Sequence, residues 1–320
     1  MARAPIPPDA AGQRIDHVVA AAVPGLSVSA ARRLLEAGAV RIDGRRPRKG
    51  AKVGAGAGAA EAVIEIDDGA LAAAQGGQAA RAAIAPDPRL AVTVLHEDEA
   101  LIAIAKPAGM PSHPLALGQL GTAANAIVAR WPECAEASPD AREGGLVHRL
   151  DTGTSGVLIA ARAARVWPEL RAALTADDCE KTYLAEVAGA PADAGLETAA
   201  IGRVGRRGGQ VRVGGGRQPL PALTAWQVIE RRAGTAIVRV RLAAGRHHQV
   251  RAHLAAAGHP IVGDRRYGAT GDGRDDAHAR DDEAPELLHL HAATVRFRHP
   301  LSGDTILIEA PPPDWAMIRA

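Results

Sequence analysis

Residues 146–160 read LVHRLDTGTSGVLIA, a charged centre between two apolar runs. Thr152 to Gly156 are turn formers, so the pattern predicts strand, tight turn, strand, with Asp151 at the end of the first strand. A carboxylate placed there can be held rigidly while turn hydroxyls and backbone N–H groups orient it. An aspartate in a turn more commonly only caps it, so the rest of the chain has to decide. A second segment, AGRHHQVRAHL at 244–254, crowds six polar side chains onto one predicted strand-to-helix junction, more than solubility requires. Along that helix Arg251, His248 and His253 cannot all face the same way. His247 and His248 invite a metal reading, but adjacent histidines diverge on a helix and no third ligand is spaced to join them. His289 and His291 carry the same weakness, and no metal site is expected.

HRLDTGTSG closely resembles the catalytic motif of the RluA family of RNA pseudouridine synthases, whose aspartate stands at Asp151. Matching segments recur in the family's order. Lys181 to Val187 alternates like a strand and resembles the family's Lys-x-Tyr strand, which implies Tyr183 as the active-site tyrosine. The chain has only two tyrosines, so each is worth weighing. GRHHQVR is similar to the motif Gly-Arg-x-His-Gln-Ile-Arg, whose second arginine pairs with the catalytic aspartate, here Arg251. Lys106-Pro107-Ala108-Gly109 is a further landmark, and the match continues through His259 to Gly268 and LHLHAATVRFRHPLSG. SAARRLLEAGAVRIDGRRPRKG resembles the S-four type RNA-binding domain, in which a helix and the following turn present basic residues to phosphates. That implies Arg32, Arg33, Arg45, Arg46 and Lys49 as RNA contacts. Lys106, Arg246 and His248 are expected on RNA as well, with Arg149 filling the stack that a flipped uridine vacates.

The resemblance implies an isomerase that breaks the uridine base–sugar C–N bond, turns the uracil and rejoins it through carbon 5. Nothing is oxidised or reduced, so no cofactor is expected. Large-subunit (23S) ribosomal RNA is the expected substrate. A transfer-RNA pseudouridine synthase is the alternative, as is a noncatalytic RNA-binding or ribosome-assembly protein of the same fold.

The elements that must position these groups follow from the rest of the pattern. The expected fold class is α+β, a mixed, largely antiparallel sheet with flanking helices over 90–315. A small α/β RNA-binding domain spans 12–66, and a linker rich in Ala, Gly and Gln spans 67–89. Ile15, Val18, Val19 and Ala22 space an amphipathic helix from Arg14 to Gly25; a second helix ends at Gly38 and leads into a strand at Val40. In the larger domain, Val92 to Leu95 and Leu101 to Ile104 read as a hairpin, and Thr122 to Arg130 and Ala163 to Leu174 as helices. Residues 201–221 read as a flexible Gly/Arg loop where the family has a hairpin. GAGAGA at 54–59 lacks the strand–helix setting of a dinucleotide loop. The acidic run 269–286 reads as an exposed insertion.

A chain of 320 residues has room for two domains. Aromatics make up 2% of it, so the core must be aliphatic and base-stacking surfaces scarce. The net charge of +2 is weak evidence for RNA by itself; the clustering of arginines near 41–52 and 203–217 says more. Cys134 and Cys179 are isolated, which fits a reducing compartment. With no apolar leader and no run long enough to span a bilayer, a cytoplasmic monomer is expected.

Overall fold

The computed structural model describes all residues except 8, 9, 11, 24, 25, 27, 49, 50, 54–61, 73–83, 117, 205–208, 243, 244, 269–287, 319 and 320. The GAGAGA run, Lys49 and the acidic insertion therefore lie outside the described residues. The chain forms two compact units, Met1–Arg81 and Ala82–Ala320.

In the first unit, β1 (Ala2–Pro5), α1 (Ile15–Ala22), α2 (Val28–Glu36), β2 (Val40–Ile42) and β3 (Val63–Ile66) follow in order. The three strands pair antiparallel as β1-β3-β2. The spacing of Ile15, Val18 and Val19 turns one face of α1 onto Ala30, Ala31 and Leu34 of α2 and Ile64 of β3. β1 lies ahead of the expected start at residue 12, and residues 68–72, expected as linker, are helical.

The second unit begins before residue 90. Ile84 is buried among Ile102, Ile127 and Leu158, and Ala85 O accepts from Asn125 Nδ2 at 2.7 Å, so the end of the expected linker is packed. Its strands are β4 (Thr93–Glu97), β5 (Leu101–Lys106), β6 (Ser155–Ala161), β7 (Glu180–Ala188), β8 (Ala194–Glu197), β9 (Ile201–Val204), β10 (Gln210–Val213), β11 (Arg217–Leu220), β12 (Thr224–Arg232), β13 (Thr235–Leu242), β14 (Leu290–Arg298) and β15 (Thr305–Glu309). Its helices are α3 (Ala123–Arg130), α4 (Trp167–Ala173) and α5 (Gln249–Ala256). The main sheet runs β4-β5-β6-β14-β7-β13-β12-β8, with β15 beside β14. The β6–β14 pair is parallel and the other pairs are antiparallel, which is the mixed sheet expected.

Side chains alternate across a strand, and β5 and β6 are apolar on both faces. Leu101, Ala103, Val157 and Ile159 pack with Leu170 of α4 on one side. Ile102, Ile104, Leu158 and Ala160 pack with Ile127 of α3 on the other. Each Leu, Ile or Val among them contributes about 1.5–3 kcal/mol by leaving water. Thr122 caps α3 in a reciprocal box with Asn125. Gly156 has φ +114, and a Cβ there would lie 2.1 Å from Ala292 O, so only glycine lets β14 approach β6.

Three expectations need correction. Leu146 and Val147 do not form a strand: Leu146 makes an isolated bridge to Ala160. The Ile159 N–H is also taken by the His148 ring, which ends the pairing. The second predicted helix starts at Trp167, not Ala163, because residues 163–166 are a tight turn with Pro168 in the first helical turn. The Gly/Arg segment is a three-stranded antiparallel sheet, β10-β9-β11, in its described residues. A Cβ on Gly202 would meet Gly215 O at 2.3 Å, so its glycines serve close strand approach.

Candidate active site

Asp151 lies in the loop before β6, and polar bonds from several elements fix that loop. His148 Nε2 accepts the Ile159 N–H at 3.1 Å. Burial and the Lys181 charge push this ring down to about 3, so it is a neutral acceptor. Ser112 Oγ donates to Leu150 O at 2.7 Å and accepts from Leu150 N at 3.0 Å. Lys106, only 1% exposed, donates to Pro107 O, Met110 O and Thr152 O at 2.9, 2.7 and 3.2 Å. It is not the phosphate contact expected; it ties the turn after β5 to the Asp151 loop. Burial pushes its ammonium down to about 7, opposed by the Asp151 charge.

The Asp151 side chain is 20% exposed, and its Oδ2 accepts from Arg251 Nη1 at 2.9 Å. Arg251 reaches it from the first turns of α5, and its other two nitrogens are held by Asp264: Nε to Oδ2 at 2.8 Å and Nη2 to Oδ1 at 2.9 Å. Asp264, wholly buried, also accepts the backbone N–H groups of Arg266 and Tyr267. Two carboxylates thus share one planar fork, a geometry arginine can meet and lysine cannot. Burial would raise the Asp151 carboxyl, but the charges of His248 and Arg251 and the Arg251 hydrogen bond outweigh it and hold it below the usual range. Burial pushes His248 itself down to about 3, so at neutral pH the charge that keeps Asp151 ionised is that of Arg251.

His248 is 6% exposed and does not meet solvent as an RNA contact would. Its Nε2 lies 3.7 Å from Asp151 Oδ1, and its Nδ1 is 3.0 Å from the Tyr267 hydroxyl. His247 stacks on it, ring centroids 3.8 Å apart, with Nδ1 3.2 Å from Arg149 Nη2. The adjacent histidines therefore do not diverge: His248 precedes the helix, in the left-handed region. With Asp151 they bring three ligand-capable atoms within 4.8 Å of one another. Arg251 on one Asp151 oxygen and Arg149 on His247 surround that group with positive charge, which opposes a bound cation. His253 faces elsewhere, toward Thr224 Oγ1 and Ala199 O.

Tyr183 stands on β7 between Val240 of β13 and Ala292 of β14. It is half-buried, and burial and the Asp151 charge raise its phenol, which stays protonated at neutral pH. Arg149 is exposed at the edge of the site; Arg246, also exposed, donates to Pro221 O at 3.2 Å. In the first unit Arg32, Arg33, Arg45 and Arg46 are exposed, and Arg32, with Arg14, also pairs with the buried Asp16. Asp264 and Tyr267 escaped the sequence reading as site residues. Both stand in the Gly263 to Gly268 run, and the signal was a buried-type acid next to arginines, with no local pattern to say which arginine it meets.

A model of the family described as RNA pseudouridylate synthase matches residues 100–256, and a model of the S4 domain matches residues 13–57. A ribosomal large subunit pseudouridine synthase D from Xanthomonas campestris pv. campestris is 35% identical over 319 residues, 98% of this chain and 89% of that protein. This chain belongs to the RluA family of RNA pseudouridine synthases. A pseudouridine synthase D from Pseudomonas aeruginosa is 32% identical over 97% of this RluA-family chain and 92% of its own length. Among solved structures, human RNA Pseudouridylate Synthase Domain Containing 1 superposes with TM-score 0.53 at 25% identity, over 72% of this chain and 87% of that one. The RluA-family chain is accordingly an RNA uridine-to-pseudouridine isomerase with an RNA-binding S4 domain. Among its described residues no helix is long and apolar enough to cross a membrane.

Proposed function

We propose that this enzyme isomerises uridines of large-subunit ribosomal RNA, with Asp151 as the reacting carboxylate, Arg251 as its partner and Tyr183 beside the base. The observation that carries the site assignment is the 2.9 Å pair of Arg251 and Asp151, with Arg251 braced by Asp264. An ionised carboxylate with one oxygen tied and the other open suits attack on the sugar or base, or removal of a sugar proton. In each case the C–N bond breaks, carbon 5 bonds to the sugar and loses its proton, and N1 ends protonated, so atoms and electrons balance. Tyr183, kept neutral, offers its ring face to the turning uracil and a hydroxyl near the carbon 5 proton. Shelter from water keeps the detached base in place.

The substrate class is supported by the names of relatives 35% and 32% identical over nearly the whole chain, and by the S4 domain. The exposed Arg33, Arg45 and Arg46, with Lys49, are proposed phosphate contacts, and Arg149 is proposed to fill the vacated stack. The enzyme is proposed to act as a cytoplasmic monomer. Pseudouridine mapping of total RNA with and without the protein tests the substrate: a lost large-subunit site is expected, and a lost transfer-RNA site instead would overturn it. Asp151→Asn should bind RNA and form no pseudouridine; appreciable turnover removes Asp151 from its role.

A further inference from the structure

Arg251 fixes one oxygen of Asp151 and leaves Oδ1 without that restraint. His248 faces that oxygen: its side chain is 2% exposed and its Nε2 lies 3.7 Å from Oδ1. Its backbone has φ 51 and ψ 22, a conformation disfavoured for a residue with a Cβ, and it is this turn that carries the ring beneath Asp151 instead of along α5. The other side of the ring is fixed too. Tyr267 Oη accepts the Val211 N–H at 3.0 Å, so its own proton is available to His248 Nδ1, also at 3.0 Å. A ring that accepts at Nδ1 carries its proton on Nε2, and that proton points at Oδ1. Burial holds the Tyr267 hydroxyl up at about 12, so the donor persists.

We propose that His248, oriented by Tyr267, is a positioning residue that aims Oδ1, the Asp151 oxygen that Arg251 leaves open. At 3.7 Å the contact is half an ångström or so outside hydrogen-bond reach, as polar contacts in unliganded sites commonly are, and substrate entry closes it. The inference rests on Asp151 being the reacting carboxylate and adds a second restraint on it. It also ties the site to β10, because Val211, at the root of the relay, lies in the small three-stranded sheet.

His248→Asn tests it. Asparagine tolerates the left-handed backbone but its amide is too short to reach Oδ1. Steady-state kinetics on a ribosomal RNA substrate should show kcat lowered about tenfold to a hundredfold, the range expected when a reacting group is misaimed, with KM unchanged. The acid limb of the pH–kcat profile should move upward, because the carboxylate loses a donor that favours its charged form. The charged and titratable groups around the pair are Arg251, Asp264, His247, Arg266, Tyr267, Lys106 and Tyr183. Lys106 titrates far from the acid limb, Tyr183 and Tyr267 stay neutral across it, and the arginines do not titrate there. Tyr267→Phe, which leaves the His248 backbone untouched, should act in the same direction, and the double variant should lose no more than His248→Asn alone. A raised KM with unchanged kcat would make His248 an RNA contact and overturn the proposal. So would a lowered kcat with an unmoved acid limb and additive losses, the mark of a merely structural role. Full turnover by Asp151→Asn is a different failure, since it removes the site assignment itself.

Discussion

Replacing Arg251 by methionine keeps much of the apolar stem and removes the fork that two carboxylates share. Asp264, whose side chain is fully buried, then keeps two backbone donors among the described residues, and Asp151 loses the partner of Oδ2. Removing one member of a buried ion pair costs about 3–5 kcal/mol, because the stranded charge is what remains. For a unit of this size each kcal/mol lowers Tm by about 2–4 °C, so Arg251→Met should fall by about 6–20 °C. The Asp151 carboxyl should titrate at higher pH, since burial still raises it and the charge that offset burial is gone. The sign follows from its folded pKa being depressed. The stability it contributes is present above the unfolded value of about 3.9 and is lost as pH falls through the lower folded value. Without Arg251 that contribution vanishes and the acid limb of activity moves upward. Adding Asp264→Asn to Arg251→Met removes the stranded charge while an amide oxygen still accepts the two N–H groups, so melting temperature should partly recover and activity should not. Arg251→Lys should regain charge but only part of the rate. Calorimetry and a pH–rate profile read both effects. An Arg251→Met protein that melts within 1–2 °C of the parent, or one with an unshifted acid limb, refutes the reasoning.

Three further outcomes are expected. Arg33→Ala should flatten the salt dependence of RNA binding by about 0.7 to 0.9 in log–log slope, whereas Arg32→Ala, which leaves the buried Asp16 with Arg14 as its one remaining arginine partner among the described residues, should lower the melting temperature of the first unit more than it changes that slope. Removing residues 1–81 should leave a folded second unit with weaker, less salt-sensitive RNA binding; an unchanged slope in filter binding would show that the S4 domain does not grip this RNA. Gly156→Ala should cost about 4 kcal/mol or more, because the new Cβ falls 2.1 Å from Ala292 O on a backbone with φ +114; ordinary soluble yield and melting would contradict that.

The pairing of Asp151 with Arg251 was legible through the family resemblance that their two motifs carry, and the 2.9 Å bond between them has that geometry. Burial was not legible. Lys106 stands in a Lys-Pro-x-Gly turn that looks solvent-facing, yet Thr152, distant in sequence, supplies one of the carbonyls that bury it. Arg32 reads as one more basic residue on an amphipathic helix; only packing of α1 on α2 brings Asp16 under it. His248 was misplaced because a helix was assumed to begin before it, and a left-handed residue at the junction changes where the ring goes. The alternating apolar runs of β5 and β6 needed no such context, since both faces of a central strand are buried.

The strand order has a consequence for how the site comes into being. β6 and β7 do not pair with each other; β14 lies between them. The Asp151 loop belongs to one half of the sheet and Tyr183 to the other, and the strand pairing that joins the halves runs through residues 290–298. While the chain is being made, both halves can gather locally, but they cannot be fastened until this late segment emerges and threads between them. Such long-range closure is slow compared with hairpin formation. Assembly of the site therefore waits for residues 290–298, and until they pair, the open edges of β6 and β7 are where a stalled or truncated chain would join the wrong strand.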